Sequence, residues 1–168
     1  IEAFVEAKEK GIVRNLGISG HADPDVLIEA IERFPFDTVL LALNAADPYH
    51  LSFKEKLLTL AVEREMGIIG MKIPARGLIL SSWTAPEDPE SRYANTVPGT
   101  IDMQEAMRYV LSLPVSTVIV GCDDIAQLEE NVKIARAFNP MNEAQLAELE
   151  QRAEPVHRQS LFFRRWDS

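Results

Sequence analysis

Four times along this chain a short apolar run is followed, after a polar step, by a segment with helical apolar spacing. That alternation constrains the fold more than any single residue, because a strand–helix repeat buries its apolar surfaces as parallel strands covered by helices. The first strand is expected near Val13–Gly20, and its helix opens at Asp23-Pro24, a cap residue followed by proline. Leu27, Ile28 and Ile31 form the apolar stripe of that helix. The second strand, Thr38–Leu43, is apolar nearly throughout, as expected of a strand covered on both faces. Its helix runs from about Ser52 to Glu65, with Leu57, Leu58 and Ala61 inward. The third strand is expected at Gly67–Ile73. A long connection rich in Pro, Gly, Ser and Thr follows, Pro74–Thr100, and loops of that length are usually functional or disordered. A helix over Asp102–Leu113 ends at Pro114. The fourth strand, Thr117–Val120, hands over to a helix reaching about Phe138, with Leu128 and Val132 on one face. A last amphipathic helix, Asn142–Arg152, leads into the tail SLFFRRWDS.

Parallel units of this kind close into a barrel or form an open, doubly wound sheet. Four units amount to half of an eightfold barrel, whose usual length is roughly 250 residues. The chain has 168 residues and 46% hydrophobic content, enough for a single domain with a core of its own. A net charge of −9 argues against a broad nucleic-acid surface or an anionic membrane as partner. One cysteine excludes an internal disulfide framework and fits a cytoplasmic location. No apolar run approaches the roughly 20 residues of a membrane span, and no signal peptide is visible. The three histidines, His21, His50 and His157, show no metal-ligand spacing. Ile1, Phe4 and Val5 have helical spacing with no cap residue before them, which points to a truncated or processed parent.

In parallel α/β folds, ligands bind at the C-terminal ends of the strands. The first strand ends in Ser19-Gly20-His21, which suits hydrogen bonding to a polar ligand or a plain turn. Asn44 follows the second strand and can orient a ligand amide or cap the turn. Met71 and Lys72 end the third strand and lead to Arg76-Gly77. Two cations and a glycine at a strand end suit a phosphate or carboxylate. The fourth ends in Gly121-Cys122-Asp123-Asp124, a step that also provides an N-cap. Gln127, Glu130 and Asn131 share one helix face there and can meet a base and ribose, or simply be solvated. Cys122 has no basic neighbour in sequence and is not proposed as a nucleophile. Trp83 and Tyr93 either border a pocket or pack the long loop down. No phosphate-binding P-loop and no nucleophile elbow is present.

The segments GIVRNLGISGH, FDTVLLALNAAD, GIIGMKIPARG and MRYVLSLPVSTVIVGCDDIAQLEEN, in that order and spacing, resemble the aldo/keto reductase family over nearly the whole chain. They look closest to bacterial-type members with G-M-K at the third of these strands. The resemblance implies the C-terminal half, strands five to eight, of a (β/α)8 TIM barrel. It forms one partial domain over residues 1–168, with the long loop at 74–100 and a C-terminal helix and tail at 139–168. It implies NADPH or NADH as cofactor and a small aldehyde or ketone as substrate. Ser19 matches the family's nicotinamide-carboxamide serine. Gly20 stands where Asn is common, Leu40 where many members have Gln, and Met71 where many have an aromatic ring. Lys72 through Gly77, with Lys72, Arg76 and Gly77 the contact candidates, matches the loop around the pyrophosphate. Gly121, Cys122, Gln127, Glu130 and Asn131 fall on the adenosine side. Members preferring NADPH often carry Lys and Arg where this chain has Gly121 and Gln127, so NADH becomes plausible.

No residue here matches the family's catalytic Asp, Tyr, Lys and His, which lie in the first half of the barrel. The resemblance therefore implies the cofactor-binding half of a reductase, inactive alone and completed by the N-terminal half-barrel. The alternative is a non-catalytic half-barrel acting as a binding or assembly module, in which a second copy of the chain completes a pseudo-barrel.

Overall fold

The computed structural model describes residues 1–166, so Asp167 and Ser168 of the expected tail lie outside the described residues. Its centre is a four-stranded, all-parallel sheet in the order β1 (Gly17–Gly20), β2 (Thr38–Ala42), β3 (Gly67–Met71), β4 (Thr117–Val118). The strands follow chain order, so every connection is a simple crossover through a helix. A first helix, α1 (Glu2–Glu9), precedes the sheet. Then come α2 (Pro24–Arg33), α3 (Thr59–Glu63), α4 (Met103–Leu111), α5 (Ile125–Arg136), α6 (Glu143–Ala153) and the short α7 (His157–Ser160). Among the described residues no helix is long and apolar enough to cross a membrane.

The helix starts follow from side-chain capping. Asp23 accepts the amide of Asp25 at 3.0 Å, with Pro24 at the first helical position. Asp102 with Glu105, and Asn142 with Gln145, form reciprocal capping boxes. The second connection departs from the expected single helix. Lys54–Leu58 is wound as a π-helix, with the Leu58 amide donating to the Phe53 carbonyl at 2.8 Å, before α3 begins. The Asp47 carboxylate takes the amides of Phe53 and Lys54 at the entry to this turn.

Two strands are shorter than expected. Val13–Asn15 find no strand partner, so β1 starts at Gly17. β4 pairs with β3 only through Ile69↔Thr117 and Gly70↔Val118, which leaves Ile119 and Val120 outside the ladder apart from one bond, from the Ile119 amide to the Gly70 carbonyl.

Alternation along the strands separates two faces. One carries Ile18, Val39, Leu41, Ile68, Gly70 and Val118 and meets the helices. A Cβ on Gly70 would stand 3.0 Å from Val110 of α4, and Val39, Leu41 and Ile68 are buried. Ile31, Phe53, Leu57, Tyr109 and Val110 fill this layer. The other face carries the cross-sheet row Ser19–Leu40–Ile69–Thr117. Ser19 and Thr117 are exposed on it, and Leu40 and Ile69 are half-buried. Leu40 therefore departs from the expectation of a strand covered on both sides. The helix at the far end is equally uncovered. No residue of α5 is buried, and Leu128 and Val132 are 52% and 40% exposed. α1 buries none either.

Polar ties hold the outer elements. Arg152 of α6 grips Glu105 of α4 through two N–H donors at 2.6 and 3.0 Å, and Glu150 accepts the buried Tyr109 hydroxyl at 2.5 Å. Asp37 joins α1 to the sheet. It accepts Lys8 at 2.5 and 2.8 Å and the Leu16 amide at 2.6 Å. The ammonium of Lys8, and then the Leu16 amide, hold the Asp37 carboxyl below its ordinary value, against a smaller opposing effect of burial. A carboxylate depressed in the folded state stabilises it above the unfolded pKa, and that contribution is lost as pH falls through the folded value. Asp37→Asn is therefore expected to flatten the decline of the melting temperature between about pH 5 and pH 2. Identical slopes for the two proteins would remove Asp37 from the acid response.

Candidate functional site

The loops after the four parallel strands place the candidate residues at one end of the sheet. At the end of β1, Ser19 projects onto the uncovered face. Gly20 points the other way, where a Cβ would crowd the Leu27 side chain of α2 at 3.0 Å. Close packing against α2 thus favours the glycine. His21 follows, its ring edge-on to Phe163 with centroids 6.0 Å apart. Burial, with the charges of Lys72 and Arg164, lowers its pKa and favours the neutral imidazole.

Asn44, after β2, is committed to structure. Its side-chain amide donates to the carbonyls of Lys72 and Ser160 at 3.3 and 3.5 Å, and its oxygen accepts the Ala46 amide at 3.0 Å. Of the two roles open to it, the turn cap is the one its contacts describe. Three residues on stands Asp47, whose carboxylate is fully buried. It accepts the Ser52 hydroxyl at 2.7 Å, the amides of Phe53 and Lys54 at 3.2 and 2.9 Å, and the guanidinium of Arg164. Arg164 also donates to the carbonyls of His21 at 3.1 Å and Ala42 at 3.2 Å and lies 3.9 Å over the Phe53 ring. One tail residue therefore bolts together the ends of β1 and β2. Burial pushes the Arg164 guanidinium down to about 10, while Asp47 pulls the other way and keeps it charged at neutral pH.

After β3 the chain turns sharply. Lys72, Ala75, Arg76 and Gly77 all have positive φ, of 64°, 49°, 60° and 91°. At Gly77 that conformation and the Trp83 ring, 3.1 Å from where a Cβ would stand, both call for glycine. Trp83 donates to the Thr96 hydroxyl at 2.8 Å and meets Tyr93 edge-on, so it packs the long loop down. Only a short turn at Ala75–Gly77 and a single bridge, Leu80↔Ile101, interrupt that loop's irregular course.

The loop also brings in a residue that sequence reasoning passed over. Arg92 donates to the Tyr93 hydroxyl, as Arg76 does at 3.4 Å, and the two guanidiniums lie 5.6 and 5.7 Å from the Phe162 ring. Lys72 stands 6.0 Å over Phe163. Among the described residues none of these three cations pairs with a carboxylate. Two like charges sharing one phenolic oxygen without a counter-charge suit an anion placed between them. Beside them is a cleft of about 170 Å³ lined by Leu78, Arg92, Tyr93, Thr96, Gln159 and Phe162. The only sequence signal for Arg92 was a basic residue just after the acidic run Glu87, Asp88 and Glu90.

After β4 the loop is exposed and tied to its own helix. Gly121 has open space where a Cβ would stand. Asp124 caps α5 by accepting the Gln127 amide at 2.8 Å, and the Gln127 side chain accepts the Asp123 amide at 2.9 Å. Asn131 donates to the Cys122 sulfur at 3.3 Å. The structure thus brings Cys122, Gln127 and Asn131 together, with Glu130 exposed on the same helix. Met71 and Ser19 lie on the same face of the sheet, Ser19 exposed and Met71 half-buried against the core, and Lys72 and Arg76 stand at its rim. Among the described residues no group of three or more His, Cys, Asp and Glu side chains is placed to hold a metal ion.

The model of the Aldo/keto reductase family matches residues 1–154. The uncharacterized oxidoreductase YqkF of Bacillus subtilis is 26% identical over 156 residues, which cover 82% of this chain and 49% of that protein. The holo form of the aldo-keto reductase AKR11C1 from Bacillus halodurans superposes with a TM-score of 0.69 at 26% identity, over 91% of this chain and 55% of that one. The glycerol dehydrogenase AKR11B4 from Gluconobacter oxydans, at 15% identity and a TM-score of 0.67, shares the fold over 90% of this chain and 52% of its own. The chain spans about half the length of the relatives it matches.

The bolt at Arg164 has a measurable weight. Arg164→Met leaves a buried carboxylate without its charge partner and is expected to cost about 3–5 kcal/mol in urea denaturation. Adding Asp47→Asn should restore part of that loss. A loss below about 1 kcal/mol for the single variant would show that the pair does not hold the rim.

Proposed function

The chain belongs to the aldo/keto reductase family, and from that premise we propose that it carries the cofactor-binding half of an NAD(P)H-dependent reductase of aldehydes or ketones. The observation that carries this reading is the cluster of Lys72, Arg76 and Arg92 at the rim of a parallel sheet, three cations that pair with no carboxylate among the described residues. Such a cluster fits the diphosphate of a dinucleotide. The exposed Ser19 hydroxyl and the half-buried Met71 thioether on the same face fit the nicotinamide end. The fit is thinner at Gly20 and Leu40, which offer no side-chain hydrogen bond to a carboxamide. When bound, the cofactor supplies the hydride. This chain's residues grip and orient it, and the proton for the carbonyl oxygen comes from the N-terminal half-barrel of a complete (β/α)8 enzyme.

A second reading has its own support. The uncovered row Ser19–Leu40–Ile69–Thr117 and the unburied α5 leave apolar surface that a second copy of the chain can cover. Two four-stranded sheets supply the eight strands of a closed barrel. In that reading the chain is an assembly module without catalysis.

The two readings separate experimentally. The first expects no turnover of small aldehydes by the isolated chain with NADH or NADPH. It also expects dinucleotide binding, followed by nicotinamide fluorescence, to weaken about tenfold in Lys72→Ala or Arg76→Ala, the equivalent of about 1.4 kcal/mol. Turnover by the chain alone would show that the proton donor lies within it. A monodisperse dimer by light scattering, with no dinucleotide binding, would favour the assembly module.

A further inference from the structure

Resting on the reductase reading above, we infer that the cleft beside Arg92 and Tyr93 holds the carboxylate of a short acidic carbonyl substrate, a keto acid or an aldehyde acid. A reductase tells one carbonyl compound from another by what lies beyond the carbonyl, and a site does so by the donors and walls it presents there.

The Tyr93 hydroxyl is the centre of this site. Its oxygen accepts from the guanidinium of Arg76 at 3.4 Å and from that of Arg92. A phenolic oxygen has room for two such donors, so its own hydrogen is left to be given away. Among the described residues no acceptor takes it. An O–H held between two guanidiniums, with no carboxylate paired to either among the described residues, calls for an acceptor that carries negative charge. The carboxylates nearest Arg92 in sequence do not serve. Asp88 accepts the Glu90 amide at 3.0 Å, and neither residue lines the cleft. The Arg92 guanidinium lies 4.6 Å from the centre of the Tyr93 ring and 5.6 Å from that of Phe162. Aromatic faces thus hold the guanidinium and leave its N–H edge for a planar, two-oxygen partner.

The cleft sets the size and character of what carries that charge. Its volume of about 170 Å³ is below the roughly 300–1,000 Å³ of sites for drug-sized ligands, so it admits a short chain and not a nucleotide. Leu78 and Phe162 give it apolar walls, which suit a carbon chain and add nothing for a bare phosphate. Its other polar groups are already engaged. The Thr96 hydroxyl accepts from Trp83 and donates to the Tyr93 carbonyl at 2.7 Å. The Gln159 amide donates to the carbonyls of Leu78 and Val97 at 2.7 and 2.8 Å and accepts the Val97 amide at 3.1 Å. Arg92 and Tyr93 are therefore the donors left for a ligand in the cleft. Lys72 lies over Phe163 and lines no part of it, so the diphosphate and the carboxylate fall to different members of the cationic cluster.

Every residue lining the cleft belongs to this chain, so the chain itself is tested. The probes are levulinate, a five-carbon keto acid, and methyl propyl ketone, its match without the carboxylate. Trp83, bonded to Thr96 of the cleft wall, reports binding through its fluorescence. At constant ionic strength the wild type is expected to bind the acid at least about tenfold tighter than the ketone. Tyr93→Phe, which keeps the ring that Trp83 meets edge-on, and Arg92→Gln should each remove most of that difference. Equal binding of the two probes, or a difference that survives both substitutions, overturns the carboxylate site. NADH, followed by nicotinamide fluorescence, should bind equally well with and without saturating levulinate. Displacement of NADH by the acid gives the oxyanion position to the cofactor's phosphates, which overturns the substrate class and leaves the cofactor reading standing. Binding of the acid without any binding of NADH overturns the cofactor reading, and the substrate assignment falls with it.

Discussion

A parallel strand satisfies its backbone groups only by lying beside another strand, and this sheet has two that lie beside just one. β1 pairs with β2 alone and β4 with β3 alone among the described residues. Helices cover one face, while the row from Ser19 to Thr117 on the other has no layer above it. The free edges and the uncovered row occur together among the described residues. The elements nearest the two edges, α1 and α5, bury no residue, whereas α2 and α4 between them bury Leu27, Ile31, Met107 and Val110. Burial thus falls away toward both margins of the sheet.

The rim of the sheet is organised differently from its body. Apolar contact holds the helical layer, but charge and aromatic faces hold the strand ends. Arg164, His21, Lys72, Arg76 and Arg92 are interleaved with Phe53, Phe162, Phe163 and Tyr93. A guanidinium on an aromatic face keeps its edge free for hydrogen bonding, so such a layer can be packed and still receptive to an anion. The tail aromatics, Phe163 buried and Phe162 half-buried, thereby give the rim order without neutralising its cations.

Much of this was legible in local sequence. The helix starts expected at Asp23-Pro24, Asp102 and Asn142 all form, each capped through a bond spanning three residues or fewer. Strand positions followed from apolar runs, but their lengths did not. Whether Val13 or Val120 joins a ladder depends on a partner strand, which the run itself does not contain. The π-turn at Lys54–Leu58 and the burial of Asp47 were illegible for the same reason. The buried Asp47 depends on Arg164 of the tail, and nothing near it in sequence marks that partner. At the candidate site, the basic and glycine residues after β3 stood out by composition. Arg92 did not, because only the fold of the long loop carries it to Tyr93 and Arg76.

The pair Asp47–Arg164 joins residues 117 positions apart. Closing so long a loop carries a high entropic cost, and the neighbouring strand pairings span only about twenty to fifty positions. During folding the sheet can therefore form while the tail is still free, with the rim sealed last. The order reverses on opening. Loss of the Asp47–Arg164 contact frees the ends of β1 and β2 while their short-range pairing can persist. A chain built this way separates the stability of its scaffold from the accessibility of the edge it presents.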